Sequence, residues 1–220
     1  LNSSDSSFVI GDVHGCFDEL MILLERAGAS LSRHRIILVG DLINKGPFSL
    51  DVLKWTRDQG VECVVGNHEL RFLKNAKDGL RLTEPLKELK KQMGSDLSLW
   101  LGWIDALPAY IETQDFFVVH GGFHPKLSPT QTSRDILASI RTWNGKDDVL
   151  YQQGDPPWYQ YYEGKKPVFY GHWALQGLHF EKNTYGLDTG CVYGRKLSGI
   201  WTHSKDVVQT PALEAYCSIK

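Results

Sequence analysis

Five times along this chain a short apolar run meets a glycine and hands over to a side chain that can bind a metal. Phe8-Val9-Ile10 leads into Gly11-Asp12-Val13-His14-Gly15, and Ile36-Ile37-Leu38-Val39 leads into Gly40-Asp41. Cys63-Val64-Val65 runs into Gly66-Asn67-His68-Glu69, Phe116-Phe117-Val118-Val119 into His120-Gly121-Gly122, and Val168-Phe169-Tyr170 into Gly171-His172. Each run has the length and the β-branched or aromatic content of a buried strand, and the glycine marks a turn at its end. Asp12 and His14 stand two residues apart, so an extended backbone points both side chains the same way. In α/β sheets, sites form outside the carboxyl ends of the strands, and all five groups would gather there. A fold for this chain must bring those five strand ends together.

The text between the runs fills in an architecture. Residues 17–27 read as a helix, with Asp18 and Glu19 in the first turn, Leu20, Leu23 and Leu24 on one face, and Gly28 able to end it. A strand at 36–39 follows, then Pro47 can open a helix carrying Leu50, Val52, Leu53 and Trp55. A strand at 61–65 completes a βαβαβ unit, whose crossovers should be right-handed and whose strands should be parallel. From Glu69 to about Leu107 the pattern is helical. After Pro108 it changes to strands at 110–113 and 116–119, joined by a turn at Gln114-Asp115. A short helix near 132–140 precedes further short strands at 168–170, 185–187, 197–202 and 207–209. An α/β first half and a β-rich second half, both carrying the candidate ligands, predict two facing sheets with helices outside. We expect a single domain over residues 8–210, preceded by a flexible tail at 1–7.

Charge narrows the function. With 24 Lys and Arg against 26 Asp and Glu, the chain has no global field to draw in nucleic acid or an anionic membrane. A polyanionic substrate must be met locally, by a few cations and by metal. No apolar run reaches membrane-spanning length. The four cysteines, Cys16, Cys63, Cys191 and Cys217, form no CxxC pair, which predicts free thiols in a reducing, cytoplasmic setting. No pattern specifies an oligomer.

The candidate ligands are Asp12, His14, Asp41, Asn67, His120 and His172. Carboxylate, imidazole and carboxamide without thiolate suit two divalent ions, manganese first, with iron, zinc or cobalt as alternatives, rather than a closed structural zinc site. A carboxylate between two such ions can bridge them. Ions about 3.5–4 Å apart activate a shared water and neutralise both oxygens of an in-line displacement at phosphorus. His68, beside Asn67, could protonate the leaving oxygen.

These motifs, together with Gly15-Cys16, Lys45-Gly46-Pro47, Tyr170-Gly171-His172-Trp173-Ala174 and Tyr185-Gly186-Leu187-Asp188-Thr189-Gly190-Cys191, resemble the phosphoprotein phosphatase superfamily of metallophosphoesterases. Within it they are most similar to the symmetrical bis(5′-nucleosyl)-tetraphosphatases and the ApaH-like phosphatases. The resemblance implies a calcineurin-like fold, a four-layer α/β/β/α sandwich of two mixed β-sheets. It implies that Asp12 and His14 bind one metal, that Asp41 bridges, that Asn67, His120 and His172 bind the second, and that His68 is the general acid. Lys45, Arg141 and Asn67 would face the substrate, with Arg141 occupying the place of a phosphate-binding arginine.

Two departures matter. Protein Ser/Thr phosphatases carry Asp three residues after the bridging Asp and Arg one residue later; this chain has Asn44 and Lys45. Asparagine orients an imidazole without stabilising its cation, so His68 should be less basic and the leaving group a better one. Lysine keeps the charge and loses the bidentate fork. The expected substrate is a small phosphoanhydride, a dinucleoside polyphosphate such as diadenosine tetraphosphate cleaved to two ADP. Phosphoprotein, inorganic polyphosphate or a capped RNA end are alternatives, as is a metal-binding scaffold without catalysis. Trp158, Tyr159, Tyr161 and Tyr162, followed by Lys165 and Lys166, could stack a base and hold a polyphosphate tail, or complete a core. Asp188 could brace a ligand histidine or cap a turn.

Overall fold

The computed structural model describes residues 7–146 and 152–218. Its first strand, β1 (Ser7–Ile10), pairs in parallel with β2 (Arg35–Leu38), and β2 with β3 (Glu62–Cys63). The helices α1 (Phe17–Ala27) and α2 (Ser49–Asp58) make the two crossovers. The chain then runs through α3 (Asn67–Lys77), α4 (Glu84–Met93) and α5 (Leu97–Asp105) before β4 (Tyr110–Glu112) and β5 (Phe117–Val119). A short α6 (Arg134–Ser139) and a 3-10 turn (Trp158–Tyr161) lead to β6 (Val168–Tyr170), β7 (His179–Glu181), β8 (Thr184–Gly186), β9 (Lys196–Trp201) and β10 (Val207–Pro211).

Two mixed five-stranded sheets result, in the orders β10-β9-β1-β2-β3 and β4-β5-β6-β8-β7. The strand alternation sorts side chains between layers. Phe8, Ile10, Ile36 and Leu38 face the α1–α5 side, where they join Leu20, Leu23, Leu53, Phe72 and Leu86. Their neighbours Val9, Ile37 and Val39 face the other way and meet Val118, Phe169 and Leu187 of the second sheet. On that sheet's far side, Val119, Val168 and Tyr170 pack under Leu137, Ile140, Trp158 and Tyr159. The period of two in each strand therefore builds three stacked cores. The layers run helices, sheet, sheet, then a thin outer cover of α6 and the 3-10 turn.

The differences from the sequence reading have local causes. Ser7, expected in the tail, belongs to β1, and residues 1–6 lie outside the described residues. The third strand is short because Val65 leaves β2 and donates its N–H to the Pro108 carbonyl. Helix α2 starts at Ser49 because Phe48 N–H is used on the Gly15 carbonyl. The strand β7 was not expected. It pairs with β8 at the sheet edge with Phe180 45 % exposed, so no buried face marks it in the sequence. Trp158 and Tyr159 are 1 % and 3 % exposed. These two complete a core and Lys166 pairs with Glu112, whereas Tyr161 and Tyr162 line a second cavity of about 400 Å³ with Phe117 and Phe123.

Candidate dimetal site

The strand ends do converge. Asp12 follows β1, Asp41 follows β2, Asn67 begins α3, His120 follows β5 and His172 follows β6, and all but His120 line one cavity of about 290 Å³. His14, Lys45, His68, Arg141 and Asp188 line it as well. His120 is wholly buried behind it.

At the centre is the carboxylate of Asp41. Its Oδ2 lies 3.3 Å from His120 Nε2, 3.5 Å from His14 Nε2 and 3.9 Å from His68 Nε2. Its Oδ1 accepts the His68 backbone N–H at 2.9 Å. Asn67 Oδ1 stands 3.1 Å from His120 Nε2 and 3.0 Å from His172 Nδ1. Both oxygens of Asp12 accept the His172 backbone N–H, at 3.1 and 3.2 Å.

Three of the histidines are held from behind in the same way. His14 Nδ1 sits 3.0 Å from the Ile43 carbonyl, His120 Nδ1 2.8 Å from that of Val39, and His172 Nε2 3.1 Å from that of Ser139. A backbone carbonyl accepts only from N–H, so it fixes the tautomer and turns the other, basic nitrogen inward. The inward nitrogens face two buried carboxylates and a carboxamide oxygen. Two ligand groups, His14-Asp41-His68 and Asp41-His120-His172, each have their donor atoms within 4.8 Å of one another. Hard oxygens with imidazole nitrogens are the donor set of divalent transition metals, and the residues fit such ions.

Charge points the same way. Burial works to raise Asp41, yet His120 and His68 hold it well below the usual carboxylate range. Burial, then Asp188, pushes Asp12 well up. His120 is pushed up to about 10, because Asp41 and Asp12 overcome its burial. The two carboxylates thus make a strongly cation-seeking centre. Lys45 is one cation that answers them: burial opposes its charge, but Asp41 raises it above the usual lysine value. Its Nζ lies 2.8 Å from His14 Nε2 and over the Tyr193 ring. Arg141 donates from a terminal nitrogen to the His172 carbonyl at 2.9 Å.

His68 differs from the other three. Its Nδ1 is 2.7 Å from Asn44 Nδ2, and Asn44 Oδ1 accepts from Thr83 Oγ1. The amide therefore donates to Nδ1, and the ring proton is placed on Nε2, the atom that faces the cavity. Burial, first of all, lowers His68 to about 4, with Lys45 and Arg71 adding to the effect against Asp41.

Backbone strain concentrates at this site. Of seven non-glycine residues with positive φ among those described, five are His14, Asp41, Asn44, Lys45 and His172. Such conformations persist only where surrounding contacts over-determine them. The adjoining glycines show how tight those contacts are. A Cβ on Gly171 would lie 1.9 Å from Asp12 Oδ1, and one on Gly66 would lie 2.2 Å from Asp41 Oδ1.

Sequence reading assigned no role to Glu69, which holds the turn after β2. Its Oε2 accepts the N–H groups of Asp41 and Gly66, and its Oε1 those of Leu42 and Ile43. Burial pushes this carboxyl up to about 7, against the pull of His120 and of those backbone donors. Its place as the third residue of α3, in a capping box with Gly66, was the available signal. Asp188 caps a turn, accepting the Gly190 N–H. All four cysteines are free.

Comparison with known proteins places these features in context. The sequence profile of the calcineurin-like phosphoesterase family matches residues 7–207. A symmetrical bis(5′-nucleosyl)-tetraphosphatase of Vibrio campbellii is 28 % identical, covering 94 % of this chain and 99 % of its own. A protein of the same name from Chromobacterium violaceum is 26 % identical over 96 % of this chain and 97 % of its own. A crystal structure described as that of a candidate diadenosine tetraphosphatase superposes with a TM-score of 0.82 at 28 % identity, over 94 % of this chain and 93 % of that one. A protein Ser/Thr phosphatase from Saccharomyces cerevisiae shares the fold, at TM-score 0.59 and 16 % identity over 94 % of this chain and 79 % of that one.

Proposed function

Since the chain belongs to the calcineurin-like phosphoesterase family and is a metal-dependent phosphohydrolase, we propose that its cavity hydrolyses a phosphoanhydride of a dinucleoside polyphosphate, diadenosine tetraphosphate to two ADP. The observation that carries this reading is the convergence of three carbonyl-anchored histidines on Asp12, Asp41 and Asn67, beside two cations and an imidazole of low basicity. Asp12, His14 and Asp41 would hold one divalent ion; Asp41, Asn67, His120 and His172 would hold the other. Manganese is our first choice of metal. The bound pair would supply an activated water and neutralise phosphoryl charge.

The chain's own residues do the rest. Lys45 and Arg141, both lining the cavity, bind non-bridging phosphate oxygens, Lys45 as a point charge and Arg141 as a fork. Asn67 orients a phosphoryl oxygen from the same wall. Asn44 keeps the Nε2–H of the neutral His68 ring aimed into the cavity, and the cation of that ring is the form that gives the Nε2 proton to the leaving oxygen. With Asn44 in place of a carboxylate, no partner stabilises a cationic His68. That arrangement serves a leaving group that needs little protonation. A nucleoside diphosphate leaving from an anhydride is one; a serine alkoxide is not.

Product analysis tests the reading. The Mn²⁺-loaded protein is offered diadenosine tetraphosphate, long-chain polyphosphate, a capped RNA and a phosphopeptide in parallel. Rapid conversion of the dinucleotide to ADP alone is expected. Preference for any other substrate overturns the dinucleotide assignment, and turnover of none with both ions bound would reduce the protein to a metal-binding scaffold.

A further inference from the structure

Outside the cavity, a second cluster of metal-ligating side chains stands among the described residues. The sulfurs of Cys16 and Cys191 and a carboxylate oxygen of Glu19 all lie within 4.8 Å of one another. Cys16 caps the N-terminus of the eleven-residue α1, and Glu19 lies in its first turn. Cys191 comes from the loop between β8 and β9. All three are buried, Glu19 completely. Glu19 Oε1 accepts from the Leu213 N–H and the Tyr216 hydroxyl, both at 2.9 Å. Its Oε2 is buried and has no hydrogen-bond partner, an expensive state for a carboxylate oxygen.

We propose that Cys16, Glu19 and Cys191 form a second, thiolate-rich site that takes one zinc-class divalent cation, distinct from the pair in the cavity. Two sulfurs and a carboxylate oxygen select soft or borderline metals, as the oxygen and imidazole donors of the cavity do not. In a tetrahedral site with metal–sulfur bonds of about 2.3 Å, the sulfurs stand about 3.8 Å apart. The present spacing therefore closes to that geometry by a shift of about 1 Å or less. A water completes the fourth position. Binding releases the two thiol protons. The ion with two thiolates and one carboxylate carries a single net negative charge, which the N-terminus of α1 favours. No oxidant enters the step, as a disulfide would require.

Cadmium is the probe. Reduced full-length protein, its cavity first saturated with Mn²⁺, is titrated with Cd²⁺ and followed by sulfur-to-cadmium charge-transfer absorption, to which imidazole and carboxylate ligands are blind. One equivalent should produce the band and release two protons. Cys16→Ala and Cys191→Ala should each abolish it, and Cys63→Ala should leave it intact. Glu19→Gln should weaken cadmium binding at least tenfold. Absence of the band in the folded wild type, or a band undiminished in Cys16→Ala and Cys191→Ala, overturns the site. X-ray absorption at the cadmium edge of the wild type needs no variant: sulfur neighbours support the site, and nitrogen and oxygen alone refute it.

Discussion

Asn44 decides which proton His68 carries. It donates to Nδ1 at 2.7 Å while Thr83 holds its carbonyl oxygen, so the imidazole is pinned as the Nε2–H tautomer, and burial first of all lowers it to about 4. Asn44→Asp would set a carboxylate against Nδ1 and stabilise the cation. A general acid works while protonated, so activity is lost as pH rises through its pKa. Raising that pKa should move the limb to higher pH by about 1–2 units. A pH–rate profile of the variant checks this, and an unmoved limb would assign the titration to another group. His68→Asn should lower turnover of the dinucleotide by about 10²–10⁴-fold with both metals retained. The loss should shrink on p-nitrophenyl phosphate, whose leaving group needs little protonation. Equal losses on both substrates would remove His68 as the acid.

Among the elements, the turn after β2 and the start of α3 act as one piece, joined through Glu69. Glu69→Gln replaces an acceptor of four N–H bonds by an amide that presents a donor to two of them. We expect a loss of about 2–4 kcal/mol by denaturant titration, together with weaker metal retention. Stability unchanged within error would show that the turn holds itself. Gly171→Ala tests the closeness of β6 to Asp12. Its added methyl has no room, so the His172 backbone must withdraw from Asp12, at a destabilisation of about 1–3 kcal/mol and with loss of metal. Thermal melts and metal analysis read both effects. The strands feeding this site were legible in the sequence, because their apolar runs are buried on both faces, and α1 was legible to the residue because its face, first turn and terminal glycine agree. The position of β7 was not, since an edge strand with Phe180 in solvent carries no such pattern. Nor was the fate of Trp158 and Tyr159, whose aromatic letters serve a ligand or a core equally until they are seen packed beside Leu137 and Ile140 on the second sheet's outer face. That Asp12, Asp41, Asn67, His120 and His172 stand at converging strand ends was readable from local motifs. Which histidine nitrogen faces inward was not, because Ile43, Val39 and Ser139 supply those carbonyls from distant parts of the chain.

For the whole molecule, the donors divide between the layers. Asp12 and Asp41 leave the first sheet and His120 and His172 leave the second, so the ion that Asp41, Asn67, His120 and His172 would hold requires the properly docked pair of sheets. A ligand specific for the folded state, at a hundred times its dissociation constant, adds about 2.7 kcal/mol. For a chain of this size that is a Tm rise of about 5–10 °C. Chelation should lower the calorimetric Tm by that amount and Mn²⁺ should restore it; an unchanged Tm would mean that the core between the sheets alone sets their alignment. The connectivity adds a last point. The first sheet takes β1, β2 and β3 from the start of the chain and β9 and β10 from its end, and every strand of the second sheet lies between them. On the ribosome, β1 therefore waits with its free edge open until Lys196–Trp201 has been made. Every side chain that lines the cavity has by then been made, so the site's chemistry is written before the sheet that supports Asp12 and Asp41 is complete.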